Sequence, residues 1–269
     1  MNEGITFGEK HAKETIEYFV KENLDKYFQA DQRTSTYSSL YVYNTKDAFV
    51  PEMDDLVRLH KLIRERKVFT ILEFGVGFST IVMADAILKN KLDFERLENN
   101  KPDIRNTNKF KIFTNDTSEK WIESTKKQLP ENLLELIEFK KINAHIDTFN
   151  GRLCHFCDDL PSIVPDFIYL DGPYKFDVKG SINGLNVNSV DVTPIAADIL
   201  LMEPILLPGT FVLIDGRTNN ARFLKNNLQR EWEYIYDSVG DVSTFELIEQ
   251  PLGKYNKIQL EYCLNKSYS

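Results

Sequence analysis

The chain has 269 residues, of which 42% are hydrophobic and 28% charged, and carries a formal net charge of −8 at neutral pH. These values fit an ordinary globular protein with one sizeable core and speak against a broad nucleic-acid surface, because binding phosphates requires a positive field. No apolar run approaches the roughly 18 residues that a membrane-spanning helix needs, and the first residues lack the basic-then-apolar order of a signal peptide, so the expectation is a cytoplasmic protein.

Residues 1–66 read as a helical cap. Ala12, Ile16, Phe19, Val20 and Leu24 recur at helical spacing. After a tyrosine-rich stretch at 37–43, Pro51 suits the first turn of a second helix, with Met53, Leu56, Val57, His60 and Ile63 on one face. From residue 67 to 269 the pattern changes. Short apolar runs alternate with helices, which signals βα units and a doubly wound, mainly parallel sheet. The first strand covers 68–74 and the first core helix opens over 80–88; residues 89–109 are polar and aperiodic and read as a surface insertion. A second strand covers 110–115, a helix holds Trp121, Ile122 and Leu129, and a third strand covers 136–142.

Asn150-Gly151 supplies the two positive-φ residues of a type I′ turn, so 145–149 and 152–156 form a hairpin. Facing residue numbers then add to 301. His145 faces Phe156, His155 faces Ile146, and Asp147 can reach Arg152 diagonally. Residues 167–170 form a buried strand ending in Asp171-Gly172-Pro173. The long insertion at 175–192 is the expected substrate lid. A helix follows, with Thr193 as cap and Pro194 in its first turn, then a strand at 210–214 ending in Asp215. Two β-like runs, 243–248 and 257–264, supply an antiparallel C-terminal edge.

Cys154 and Cys157 form a lone C-x-x-C. Three apart on a strand, their side chains point to opposite faces, and no second pair completes a zinc site. They read as half-buried free thiols.

In an open parallel sheet, ligands bind beyond the carboxyl ends of the strands. The residues there are 73–79, Asp116, the Asp158 region, Asp171 and Asp215, and four of these five positions are carboxylates. Gly75 and Gly77 permit a tight turn and a close ligand approach at a helix start, although a bare G-x-G also marks turns that bind nothing. A dinucleotide fingerprint would need a third glycine where Thr80 stands.

With those residues in view, the segment Ile-Leu-Glu-Phe-Gly-Val-Gly-Phe-Ser-Thr resembles the first motif of the class I S-adenosylmethionine-dependent methyltransferases, with Ser79 where many members carry a glycine. The resemblance covers roughly residues 68–230. It implies a Rossmann-like fold, S-adenosylmethionine (SAM) as cofactor, and Glu73, Gly75, Gly77, Ser79, Asp116, Asp158 and Asp171 as its binding residues. Asp116 matches the ribose ligand and Asp158 the residue near the adenine amino group. Asp-Phe-Ile-Tyr-Leu-Asp-Gly-Pro matches the motif facing the methionine end and the substrate. Asp171 and Asp215 resemble two carboxylates of the catechol O-methyltransferase branch, which binds magnesium; Asn219 or Asn220 would have to complete such a site. Each has a plainer reading: Asp116 opens a D-x-x-E helix start, Asp171 can be a turn residue, and Asp215 can cap the next helix.

An oxygen acceptor needs its proton removed by a base or a metal. Asp171, His145 and His155 are the candidate bases, the two histidines on opposite faces of the hairpin and each also explicable by packing. Tyr174, Lys175 and Arg217 sit beside the same strand ends. The expected function is methyl transfer from SAM to a small molecule, by preference at a hydroxyl oxygen, with a divalent cation such as magnesium in reserve. Nucleic acid and membrane are not expected as partners, and homo-oligomer formation is left open. A nicotinamide-dependent oxidoreductase or epimerase, or a non-catalytic cofactor-binding module, are the rival readings.

Overall fold

The computed structural model describes residues 13–27, 52–189 and 191–267; Ala12, the stretch at 37–43 and Pro51 lie outside them. The elements are helices α1 (Lys13–Lys21) and α2 (Met53–Glu65), strand β1 (Thr70–Phe74), helix α3 (Phe78–Glu95), strand β2 (Lys111–Asp116), and helices α4 (Glu119–Gln128) and α5 (Glu131–Leu134). There follow strands β3 (Ile137–Lys141), β4 (Ala144–Phe149), β5 (Arg152–Cys157), β6 (Phe167–Leu170) and β7 (Val178–Lys179), and helix α6 (Asp198–Met202). The chain closes with strand β8 (Phe211–Asp215), helix α7 (Thr218–Lys225), strands β9 (Trp232–Asp237) and β10 (Val242–Leu247), and helix α8 (Gly253–Leu264).

Seven strands make one sheet in the order β3-β2-β1-β6-β8-β10-β9. The five from β3 to β8 are parallel, and β10 runs antiparallel to both neighbours. Strands β1 and β6 are buried along their whole length, which is why they read as near-continuous apolar runs rather than alternating ones. The chain steps outward from β1 to β3 and then returns to build β6 and β8 on the other side. That reversal defines a doubly wound, Rossmann-like α/β fold whose crevice opens outside the carboxyl ends of β1 and β6.

Two edge features differ from expectation. Residues 257–264 belong to α8, because Asn256, Gln259, Leu260 and Cys263 are buried at helical spacing; the β-forming Ile258 and Tyr262 obscured that period. The outer antiparallel strand is instead β9. Residues 89–95 continue α3 rather than forming an insertion. Helix α6 starts at Asp198, not at Thr193, because His155 N donates to Ile195 O (2.8 Å) and Ala197 N to His155 O (3.0 Å), holding the preceding segment extended along β5.

The expected hairpin forms with its register intact, His145 opposite Phe156 and Ile146 opposite His155, on positive φ values at Asn150 and Gly151. It lies outside the main sheet, with β7 paired to β4. Asp147 and Arg152 do not pair: Asp147 Oδ1 accepts from Thr148 N, and Arg152 Nη1 donates to Asn227. Cys154 and Cys157 are free.

Helices α1 and α2 are built into the core. Phe19, Leu24, Leu56, Leu59 and Ile63 share one cluster with Ile81, Met83 and Ile87 of α3 and Ile71 of β1. The whole expected face of α2 is buried, whereas Val20 of α1 is exposed. Because α2 covers α3 from outside, α3 is buried continuously from Thr80 to Ile87, as a helix enclosed on both sides must be. Within this layer Asp85, almost wholly buried, accepts from Tyr27 Oη at 2.7 Å and meets Lys89 Nζ at 2.6 Å and His60 Nε2 at 3.0 Å. Tyr18 Oη lies 2.9 Å from the other ring nitrogen of His60.

Candidate functional site

The crevice is sewn together by backbone. Gly75 N donates to Asn115 O at 2.9 Å, and Asp171 N and Gly172 N both donate to Phe74 O, at 3.1 and 2.5 Å. The loops after β1, β2 and β6 therefore share one frame. Gly75 has φ +112° and packs so closely on Gly172 that a Cβ there would stand 3.2 Å from Gly172 N. At Gly77, by contrast, a Cβ would meet nothing within 4 Å. The loop thus presents open backbone at the N-terminus of α3, the arrangement that admits a ligand to the chain.

Glu73 does not line that opening. It is fully buried, and its carboxylate accepts from Ser79 Oγ (2.7 Å), Thr80 Oγ1 (2.8 Å) and Thr114 Oγ1. Thr80 Oγ1 in turn accepts from Gly77 N at 3.1 Å. Glu73 shapes the loop from beneath, and Ser79, half-buried in the first turn of α3, bonds to it from the rim. Burial pushes the Glu73 carboxyl up to about 7, against the lowering effect of its three hydroxyl donors. Because the folded value is raised, the associated stability is complete below the ordinary 4.5 and is lost as pH rises through about 7. Glu73→Gln should remove that loss. In urea denaturation at pH 5 and pH 8, wild type should lose about 2 kcal/mol more than the variant between the two pH values; parallel losses would show that Glu73 ionises freely.

Asp116 ends β2, nearly buried, and is not the helix cap that its D-x-x-E context suggested. Ser118 caps α4, accepting from Trp121 N, while Asp116 Oδ1 accepts from Ser118 N at 2.7 Å. Burial, then the nearby Asp177 and Asp171, push its carboxyl up to about 6, against the hydrogen bond from Ser118. Asp177 belongs to the insertion and accepts from Thr117 Oγ1 at 2.9 Å. The insertion is strapped down elsewhere too: Lys175 Nζ donates to Ser189 O and Val192 O at 2.8 and 3.1 Å.

Asp171 is exposed to water yet walled by protein on most sides, the signature of a residue at the bottom of a cleft. Its carboxyl is raised by that desolvation, with Arg217 opposing and Asp55 adding to the shift. Asp215 is pushed up to about 7, first by burial and then by Asp55 and Asp171, against the hydrogen bond from Tyr169 and the charge of Arg58. Tyr169 Oη donates to Asp215 Oδ2 at 3.0 Å. Arg217 Nη2 donates to Asp171 O and Pro173 O, bridging the loops after β6 and β8, while its Nη1 is buried without a partner.

Sequence reasoning missed the contribution of α2. Asp55 and Arg58 pair at 2.8 Å on its first turn, and Arg58 packs on the turn at Gly240, where a Cβ would stand 2.6 Å from Nη2. Gly216 N donates to Asp241 O, and Val242 pairs with Asp215, so this turn adjoins the end of β8. The charge alternation in α2 was visible, but nothing local indicated which strand end it would meet.

The two histidines separate as the hairpin register required. His155 is fully buried, neither ring nitrogen has a partner, and burial, then Arg217 and His145, lower it to about 3. It stays neutral and out of reach of solvent, so it is no general base. His145 is half-exposed, and its Nδ1 lies 2.9 Å from Asp158 Oδ1. That contact gives His145 an orienting partner and occupies the carboxylate expected near adenine.

No protein-family model matches the chain, and no curated protein does. Among solved structures, it is similar to the O-methyltransferase TomG of Streptomyces achromogenes, involved in tomaymycin synthesis and in complex with SAM. The two are 15% identical over 89% of this chain and 91% of that one, with a TM-score of 0.37. A Podospora anserina methyltransferase, PaMTH1, bound to S-adenosylhomocysteine (SAH), is 11% identical over 90% and 91%, with a TM-score of 0.41. An O-methyltransferase of Bacillus cereus in complex with SAH is 11% identical over 89% and 92%, with a TM-score of 0.35. Likenesses this distant carry no argument about activity; strand order and direction establish the Rossmann-like fold.

The donor set does not suit a divalent cation. Among the described residues, no three His, Cys, Asp or Glu side chains are grouped to hold a metal ion. Asp215 already accepts from Tyr169, and the guanidinium groups of Arg58 and Arg217 supply positive charge beside Asp215 and Asp171. Asn219 is exposed on α7, and Asn220 is committed to Ala196, accepting from its N–H and donating to its C=O at 2.8 and 2.9 Å. These strand ends therefore differ from the magnesium arrangement that the resemblance implied. Among the described residues, no helix is long and apolar enough to cross a membrane.

Proposed function

We propose that this chain is a SAM-dependent methyltransferase acting on a small molecule, with a hydroxyl oxygen as the favoured acceptor. The observation that carries this reading is the crevice at the chain reversal, where the open backbone at Gly77 lies beside two strand-end carboxylates, Asp116 and Asp171. The residues fit the group: Asp116 offers a carboxylate to a ribose diol, and the buried Asn115 Oδ1 beside it has no partner in the protein. Asp171 offers negative charge to the ammonium end. When bound, SAM supplies a methyl group activated by its sulfonium charge, and the protein's task is to align an acceptor with it.

Asp215 is the group best suited to take the proton of an acceptor hydroxyl. A carboxyl near 7 is matched to neutral pH, where it is partly ionised and basic enough to accept. Tyr169 orients it, and Asp55 with Arg58 closes the same end of the crevice. Asp171 shares the environment and the upward shift. The His145–Asp158 pair is a second proton acceptor on the hairpin side.

Isothermal titration with SAM and with NAD tests the reading. Saturable micromolar binding of SAM supports it, and binding of NAD alone would replace it with the oxidoreductase reading. Asp116→Ala should weaken SAM binding by roughly 10- to 100-fold while leaving the thermal midpoint near wild type, the loss of a charge-assisted hydrogen-bond acceptor. Unchanged affinity would reduce Asp116 to a turn residue.

A further inference from the structure

A cavity of about 300 Å³ opens at the opposite end of the sheet from the strand-end carboxylates. It is enclosed by the segments before β1, β2, β6 and β8 and by α8. That volume lies at the lower end of small-molecule sites, roughly 300–1,000 Å³. Apolar walls come from Val68, Ile163, Leu260 and Leu264, and charged groups stand at its floor and mouth. At the floor, Asp166 is surrounded by protein but still touched by solvent. Its oxygens accept from Phe69 N (2.9 Å) and Thr70 N (2.6 Å), with Gln259 Nε2 at 3.5 Å. Each carboxylate oxygen has two acceptor sites, so Asp166 retains capacity for another donor. At the mouth, Arg105 is exposed and lies over the ring of Tyr255 at 5.7 Å. The other lining guanidinium, Arg66, is held by Glu246 Oε2 and Gly209 O, both at 3.0 Å, and its charge also lowers the Asp166 carboxyl against burial.

We infer that this cavity is a second ligand site, for a small aliphatic zwitterion of amino-acid size, with its ammonium on Asp166, its carboxylate on Arg105 and its side chain among the apolar walls. Opposite charges at different depths of one cavity discriminate against molecules carrying only one of them, since the unmatched protein charge is then desolvated without a partner. Burial raises the Asp166 carboxyl to about 6, and an ammonium beside it would stabilise the ionised form. The inference is independent of the SAM reading, because the cavity shares no residue with the crevice.

The test is isothermal titration of the full chain with L-leucine, 4-methylpentanoate and isoamylamine, the last two lacking the ammonium and the carboxylate respectively. Leucine should bind saturably, one per chain, and each analogue should bind at least about tenfold more weakly. Arg105→Ala should bring leucine down to the level of isoamylamine. Val164→Trp, at an exposed position of the lining, should block the mouth and abolish binding without altering the fold. Failure of wild type to bind leucine saturably, equal binding of either analogue, or leucine binding that survives Val164→Trp would each overturn the inference.

Discussion

Asp85→Ala should destabilise the protein by about 3–5 kcal/mol, the penalty for removing one partner from a buried charge network. Asp85 is the carboxylate at the centre of these contacts: it meets Tyr27 after α1, His60 of α2 and Lys89 on its own helix, with Lys26 3.6 Å away and Glu22 bonded to Lys89. Because a carboxylate only accepts, His60 Nε2 carries the ring proton and Nδ1 accepts from Tyr18. Removing the carboxylate leaves the buried His60 Nε2–H and the Tyr27 hydroxyl without their acceptor, while Lys89 keeps Glu22. Tyr27→Phe, which deletes one hydrogen bond, should cost only about 1 kcal/mol. Urea denaturation at pH 7 distinguishes the two through the midpoint at constant slope; equal, small shifts would mean that solvent readily replaces the network.

The same network has a defined acid response. The hydrogen bonds from His60, Lys89 and Tyr27 outweigh burial and hold Asp85 well below the usual carboxylate range. Its contribution is present above the ordinary 3.8 and is lost as pH falls through the folded value. Burial also lowers His60 below 6.5, with Asp85 opposing, so acid favours the unfolded state there as pH falls below 6.5. Both effects loosen the helical layer in acid, and Asp85→Ala should flatten the stability profile below about pH 4.

Gly172→Ala should weaken SAM binding by roughly a hundredfold, about 2.7 kcal/mol, and lower folding stability by about 1–3 kcal/mol. A Cβ at this position would stand 2.5 Å from Gly75 N, 2.6 Å from Gly75 Cα and 2.8 Å from the Phe74 carbonyl carbon. All three are backbone atoms, so no side chain can swing away. The loop after β1 must separate from the loop after β6, taking the Gly77 opening and Asp171 out of their common frame. Titration with SAM and thermal melting read the two effects separately. Wild-type affinity would mean that the strand-end loops act independently and that the crevice is not the cofactor site. Gly77→Ala is the contrasting change: the protein leaves that position open, so it should alter SAM affinity more than stability.

Much of the architecture was legible in local pattern. The doubly wound order followed from apolar runs alternating with helices, and the carboxylates at the ends of β2, β6 and β8 followed from where those runs stop. The hairpin register followed from Asn150-Gly151 alone, because a two-residue turn admits one pairing and thereby sends His145 and His155 to opposite faces. These are properties of neighbours in the chain, and periodicity records them.

Other features depended on what covers each element. Residues 257–264 carry enough β formers to resemble a strand, but packing against the sheet makes them a helix. Glu73 stands in the right motif, yet hydroxyls from Ser79, Thr80 and Thr114 draw it inward, and Thr114 lies on a different strand. Asp85 met His60, and Asp55 approached Asp215, only when α2 settled across α3 and the ends of the sheet. Sequence by itself determined the order of the elements and the carboxylates at the strand ends, since both are written at short range. Tertiary structure decided which carboxylates face the crevice, which are consumed in support, and which rise toward neutral pH, since burial and opposing charge come from residues distant in the chain.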